Sequence, residues 1–221
     1  MSDWYRPYEG YLFDLDGTLV DTAPDINVAL NHSLTAAGFA PVSENHTRHW
    51  IGHGARILIK EALAHQTYKG DMEAQLDAML PVFLDYYSDH HAHHSTAYPT
   101  VVDTLQTLHA RGARLAVVTN KVTHLSELIL DTLGLSEYFD SVVCGDTTPK
   151  PKPDPAPVQY CLRELQITPE QALFVGDSNT DVGAARNAGT NIVCVRYGYN
   201  QGQDVSQLDV DGVIDTFSEL L

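Results

Sequence analysis

Basic residues are scarce in this chain: 13 Lys and Arg stand against 29 Asp and Glu, a formal charge of −16 over 221 residues. A field of that sign repels nucleic acid and anionic membrane surfaces, so neither is expected as a partner. If the ligand is itself an anion, its positive field must be made locally. Cysteine is scarce too. Cys144, Cys161 and Cys194 lie far apart with no CxxC pair, and an odd count without such spacing fits a reducing cytoplasm and argues against a disulfide framework. No apolar run approaches the roughly 18 residues of a membrane span, and the opening "MSDWYRPYEG" lacks the basic-then-apolar order of an export leader. Internal repeats are absent. The expectation is a soluble, cytoplasmic protein.

What is present is apolar and regularly punctuated. Hydrophobic residues make up 43% of the chain, enough for one good-sized core or for a core carrying a smaller inserted domain. Five short runs, "GYLFDLD", "RLAVVTN", "SVVCGD", "ALFVGD" and "NIVCVRYG", are bounded by Gly, Asp or Asn and read as buried strands of a mostly parallel sheet. Cys144 and Cys194 end two of these runs and are expected as buried thiols. Helical stripes alternate with the strands: Val101, Leu105 and Leu108 before Gly112, then Leu125, Leu128, Ile129 and Leu133 before Gly134, and a short helix ended by Gly189. Such alternation specifies a doubly wound α/β layer, whose ligands sit at the carboxyl ends of the strands.

One interval breaks the alternation. From about Val20 to His94 the pattern is helical, with Ile26, Leu30 and Leu34, then Ile57, Leu58 and Leu63, then a long helix bent or broken near Pro81. About seventy residues are too many for an ordinary crossover. They are expected to form an inserted helical domain over the sheet's carboxyl edge.

The polar residues that close the strands carry the chemistry. In "LFDLDGTLVDT" strand alternation puts Asp14 and Asp16 on one side, where two carboxylates repel unless one is protonated or a hard divalent cation such as Mg²⁺ is bound. Gly17 permits a sharp turn, and Thr18 offers a hydroxyl and an amide. Thr119 and Asn120 close the second strand; alone they would read as part of an Asn-Lys turn. "VGDSNTD" brings Asp177, Ser178 and Asp181, a pattern that by itself also describes a helix N-cap with an acid in its first turn. Convergence decides: four carboxylates, a Thr-Asn pair and a lysine all fall at one edge. That lysine is Lys150 or Lys152 in "TTPKPKPDPAP", a stretch that resembles an interdomain linker by composition. The following helix is expected to start with Asp154 as N-cap and Pro155 at its first position, which pins Lys152 between prolines.

The ordered set "DLDGTLVDT", "VVTN", "KPDP" and "GDSNTD" resembles the four motifs of the haloacid dehalogenase superfamily phosphatases, over nearly the whole chain. The resemblance implies a Rossmann-like doubly wound parallel sheet core, residues 1–18 and 95–221, with an inserted α-helical cap domain, residues 19–94. It implies that Asp14 is a nucleophile forming an aspartyl-phosphate, and that Asp16 protonates the leaving alcohol and then activates water. Asp14, the Asp16 carbonyl and Asp177 would bind Mg²⁺. Thr119 and Lys152 would hold phosphate, with Gly17, Thr18 and Asn120 near it, and Asp181, supported by Ser178, would orient Lys152 or a metal-bound water.

The cap sequence "TRHWIGHGARILIKEAL" is similar to that of the phosphoglycolate phosphatases within this superfamily, as are "AYPTVVDTL" and "VRYGYN", although Thr100 stands where a glycine is common. This implies 2-phosphoglycolate as substrate. Arg56 is the candidate partner for its carboxylate, against the alternative of a solvated helix residue. Other small phosphate esters, a sugar phosphomutase and a non-catalytic phosphate-sensing protein are the alternatives. The tract "HHAHH", His90 to His94, lacks the spacing of a closed zinc site and is expected to be solvated. A small anionic phosphate ester is the expected partner, for a monomer or homodimer.

Overall fold

The computed structural model describes residues 4–221; residues 1–3, which open both the expected core and the stretch weighed as a leader, lie outside them. Strand β1 (Gly10–Phe13) is followed by a short strand β2 (Val20–Asp21) and by helices α1 (Ala23–Ala36), α2 (Glu44–Trp50), α3 (Ala55–His65) and α4 (Met72–Asp89). Strand β3 (Thr96–Ala97) leads to α5 (Val101–Ala110), β4 (Arg114–Val118), α6 (Thr123–Thr132), β5 (Ser141–Val143) and α7 (Ala156–Leu165). The chain finishes through β6 (Ala172–Gly176), α8 (Asn179–Ala188), β7 (Asn191–Val195) and β8 (Gly212–Ile214).

Six strands form one sheet in the order β5-β4-β1-β6-β7-β8, and each adjacent pair is parallel. Strand alternation sends Tyr11 and Phe13 to one face, against Leu105 and Leu108 of α5 and Leu125 and Ile129 of α6. Leu12 and Phe174 point to the other, against Val158 and Leu162 of α7 and Val182 and Ala185 of α8. A sheet buried on both faces needs the continuous apolar runs seen in its strands. The architecture is therefore the expected α/β one. The sixth strand, β8, was not anticipated: three residues carry too little pattern, and pairing with β7 creates it.

Between β2 and β3, the segment is helical, as expected. Helix α4 runs unbroken through Pro81, so the expected alternative of a break does not occur. Losing one backbone bond and fitting the ring costs about 3 kcal/mol, while Leu76, Met79, Phe83 and Tyr87 are buried on one stripe and contribute roughly 1.5–3 kcal/mol each. The Ser33 hydroxyl of α1 also donates to the Met79 carbonyl at 3.0 Å. Helix α7 begins one residue later than expected. Pro155 has no N–H, so Asp154 Oδ1 accepts from the Ala156 amide at 3.0 Å instead.

Two connections cross between the sheet and the α1–α4 segment. Strands β2 and β3 pair antiparallel, Val20 with Ala97 and Asp21 with Thr96. Buried Asp25 accepts from the His94 amide at 2.9 Å, the Ser95 amide at 2.8 Å and the Ser95 hydroxyl at 2.7 Å. In the histidine tract, His93 and His94 are exposed, as expected, whereas His90 and His91 are half-buried: His90 stacks on Tyr86 at 4.0 Å, and His91 Nε2 lies 3.0 Å from Thr132 Oγ1. All three cysteines are free and buried. Among the described residues, no helix is long and apolar enough to cross a membrane.

Candidate active site

Each polar group of the sequence pattern reaches the sheet's carboxyl edge by continuing a strand. The Asp14 amide donates to Val175 O at 3.0 Å and the Thr119 amide to Val143 O at 2.9 Å, so both side chains stand where the ladder ends. Gly17 follows with φ +86°, and a Cβ there would lie 2.5 Å from Asp177 Oδ2. Only glycine meets both demands. Asp177 closes β6, and α8 starts at once, with a capping box between Ser178 and Asp181.

Lys152 sits at the centre of the carboxylates, 2% exposed. Its Nζ donates to Asp181 Oδ1 at 2.6 Å and to Val118 O at 2.7 Å, and lies 2.9 Å from Asp14 Oδ1. The approach to Asp14 is an ion contact without hydrogen-bond geometry, which leaves Asp14 Oδ1 buried and otherwise unpartnered. Lys150, with its side chain 74% exposed, lies 3.5 Å from Asp154. Asp181 fulfils both readings of its motif. Oδ1 holds Lys152, while Oδ2 accepts from the Asp177 and Ser178 amides at 3.1 and 3.0 Å and from the Ser178 hydroxyl at 2.7 Å.

Electrostatics follow from this crowding. Burial pushes the Asp14 carboxyl up to about 7; Lys152 opposes the rise, and Asp181 and Asp16 add to it. Asp177 is raised well above the carboxylate range by burial, then by Asp181 and Asp14. Burial alone would discharge Lys152, yet Asp14 and Asp181 outweigh it and hold the ammonium above its ordinary pKa. Ligand oxygens of Asp14, Asp177 and Asp181 all lie within 4.8 Å of one another. Counting Asp16, four carboxylates face two ammonium groups, Lys152 and Lys121. With Asp14 and Asp177 ionised, two negative charges are left over on hard oxygen donors, and these fit a hard divalent cation.

Several expected phosphate donors are otherwise engaged. The Gly17 and Thr18 amides donate to Val20 O and Leu15 O at 2.9 and 3.4 Å, closing their own turn. The Thr18 hydroxyl donates to Asp177 Oδ1 at 3.3 Å. Asn120 is a strut. Its Nδ2 donates to Gly52 O at 2.9 Å and Lys152 O at 3.0 Å, and its Oδ1 accepts from the Lys152 amide at 2.9 Å. Arg56 does not join the site at all. Glu73 and Asp77 of α4 take its guanidinium at 2.6 and 2.8 Å, with the side chain 40% exposed, because a long cation on α3 finds two carboxylates on the facing helix first.

Three participants were missed. Lys121, hidden in the "TNK" turn, is buried and donates to both oxygens of Asp16 at 2.9 and 3.0 Å. Thr22 donates to Asp16 Oδ1 at 2.6 Å. The Tyr199 amide donates to Asp177 Oδ2 at 2.7 Å, and its hydroxyl accepts from the Thr22 and Ala23 amides at the start of α1. A lysine two places past a strand-closing Thr was the one available signal. Thr22 lies only six residues from Asp16, but no periodicity marks the pair, and the Tyr199 hydroxyl reaches Thr22 across 177 residues, which sequence spacing does not encode.

A cavity of about 50 Å³ joins Asp14, Asp16, Thr119 and Lys121 to the α1–α4 segment, where Gly52, Gly54 and Tyr87 help to wall it. A larger one, about 550 Å³, opens at the opposite edge beside Glu9, Tyr11 and Leu173. The smaller holds the chemistry, since the larger contains none of the converging carboxylates.

Residues 11–195 match the family described as haloacid dehalogenase-like hydrolase. The phosphoglycolate phosphatase 1 of Pseudomonas aeruginosa is 42% identical over 210 residues, 95% of this chain and 77% of that protein. The phosphoglycolate phosphatase of Colwellia psychrerythraea is 38% identical over 96% of this chain and 95% of its own. A crystal structure of a predicted phosphoglycolate phosphatase from Haemophilus somnus 129pt superposes with a TM-score of 0.91, at 36% identity and 96% coverage of both chains.

Proposed function

The chain belongs to the haloacid dehalogenase-like hydrolases, and on that premise we propose that it is a Mg²⁺-dependent phosphomonoesterase acting on 2-phosphoglycolate. One observation carries the reaction: a buried carboxylate, Asp14, whose Oδ1 has no hydrogen-bond partner, faces an ammonium, Lys152, that Asp181 fixes in place.

Asp14 is the nucleophile. One of its oxygens bonds to phosphorus as the bond to the ester oxygen breaks, and Asp16 gives that oxygen a proton. Asp16 then takes a proton from the water that attacks the aspartyl-phosphate; the bond from phosphorus to Asp14 breaks, releasing phosphate. Lys152 balances charge on the phosphoryl oxygens throughout. Thr119, whose hydroxyl oxygen accepts from the Lys121 amide at 3.2 Å, has its O–H proton to donate to phosphate. Phosphatases of this family are generally Mg²⁺-dependent. Asp14, the Asp16 carbonyl and Asp177 would hold the ion, with Asp181 beside them, and when bound it supplies positive charge to the carboxylates and the phosphoryl group. The α1–α4 segment acts as a cap that gates access and excludes water.

The names carried by similar proteins support the substrate. Buried free thiols and the strong negative charge favour a cytoplasmic enzyme, monomeric or homodimeric, of small anionic esters. Asp14→Asn abolishes turnover of every phosphate ester; substantial remaining turnover rejects the mechanism. A panel of 2-phosphoglycolate, sugar phosphates, nucleotides and pyrophosphate tests the substrate. Another ester preferred tenfold in kcat/KM, about 1.4 kcal/mol, rejects phosphoglycolate.

A further inference from the structure

The cavity lined by Asp14 and Asp16 has one cation in its wall. Lys121 lines it at the end of β4, and Tyr87 of α4 lines it from the helical segment, among apolar neighbours such as Ile51, Leu58, Phe83 and Leu125. An ammonium has three donors. Two of those on Lys121 are spent on Asp16 Oδ1 and Oδ2, at 2.9 and 3.0 Å. The Lys121 ammonium also lies 4.8 Å from the centroid of the Tyr87 ring. The Tyr87 side chain is 1% exposed, and its buried hydroxyl, beside the Lys121 ammonium, has no acceptor for its proton. Such an orphan is unfavourable in the free protein and becomes useful only when a ligand reaches it.

We propose that the third donor of Lys121 and the hydroxyl of Tyr87 together bind the carboxylate of the substrate's leaving group. This rests on the phosphoglycolate reading and deepens it by naming the residues that read the acid. The position is consistent with the chemistry. The ester oxygen must meet Asp16 to be protonated, and the carboxylate of a two-carbon acid lies one carbon further on, beside the lysine that Asp16 already holds. Arg56, turned to Glu73 and Asp77, leaves this task open. Two donors on neighbouring groups match the two oxygens of a carboxylate, and a site whose buried donors are stranded by the wrong substrate discriminates strongly.

The test compares kcat/KM for 2-phosphoglycolate and for ethyl phosphate, which keeps the ester and the two carbons and lacks the carboxylate. The wild type prefers 2-phosphoglycolate by at least a hundredfold. Tyr87→Phe lowers that ratio at least tenfold, and Lys121→Met lowers it further. Tyr87→Phe also melts at or above the wild-type Tm, because the hydroxyl it removes has no acceptor in the free protein. A wild-type preference for 2-phosphoglycolate that Tyr87→Phe leaves within twofold overturns the inference alone. A Tyr87→Phe variant that melts several degrees lower also overturns it, since the hydroxyl then has a structural partner. A wild-type ratio near one removes the phosphoglycolate reading along with it.

Discussion

Two lysines separated by one proline show how little of a residue's role lies in its local sequence. Lys150 is exposed beside Asp154, while Lys152 is buried against Asp14 and Asp181. Lys150→Ala therefore keeps most activity, whereas Lys152→Ala loses at least a thousandfold in kcat, about 4 kcal/mol of lost charge stabilisation; similar losses in steady-state assays of the two would reject the assignment. The raised Asp14 carboxyl has a consequence of defined sign. Below about pH 4 it is protonated in the folded and unfolded chains alike. Between about 4 and about 7 the folded chain keeps a proton that the unfolded one has released, so its contribution to stability is lost as pH rises through about 7. Metal-free protein should lose Tm over that window, and Mg²⁺, which replaces the proton, should raise Tm more at pH 8 than at pH 5. Equal Mg²⁺ shifts at both values would contradict this.

At the scale of elements, the sheet edge is assembled by partners that serve two elements at once. Asp181 caps α8 with one oxygen and holds the lysine before α7 with the other. Tyr199 does the same from the loop after β7: its amide fixes Asp177, and its hydroxyl accepts from the Thr22 and Ala23 amides at 2.7 and 2.8 Å and donates to Asp21 at 3.0 Å. Tyr199→Phe strands those amides and should cost about 1–3 kcal/mol, a fall of roughly 2–10 °C in Tm for a chain of this size. Because the phenylalanine keeps the amide on Asp177, Mg²⁺ affinity measured by titration calorimetry should stay within about threefold; a large loss would mean that the hydroxyl, too, shapes the metal-ligand loop. Asn120 joins the Gly52 loop to the Lys152 loop. Asn120→Ala is expected to raise KM about tenfold and to leave phosphate chemistry otherwise intact, and a collapse of kcat at unchanged KM would contradict that role.

Over the whole molecule, a charge of −16 opposes an anionic substrate, and attraction is confined to the site itself. Salt screens the long-range repulsion, whose reach is about 30 Å at 0.01 M and about 8 Å at 0.15 M, far more than it weakens contacts inside a buried cavity. Raising ionic strength across that range with an inert salt should therefore increase kcat/KM for a phosphate ester two- to fivefold; a steep fall would mean that a positive surface steers the substrate.

The apolar runs by themselves determined strands β1, β4, β5, β6 and β7, the helices between them and the helical insertion, because burial on both sheet faces forces composition and period to agree. The order of Asp14, Asp16, Thr119, Lys152, Asp177 and Asp181 along those strand ends likewise pointed to the family and to a phosphatase. Tertiary structure alone decided the rest. It turned Arg56 to α4, made Asn120 a strut and put Lys121 against Asp16. A polar side chain binds whichever partner the fold brings within about 3 Å, and for these residues that partner lies on an element far away in the chain. Hydrophobic period is a local property of sequence; the choice of a hydrogen-bond partner is not.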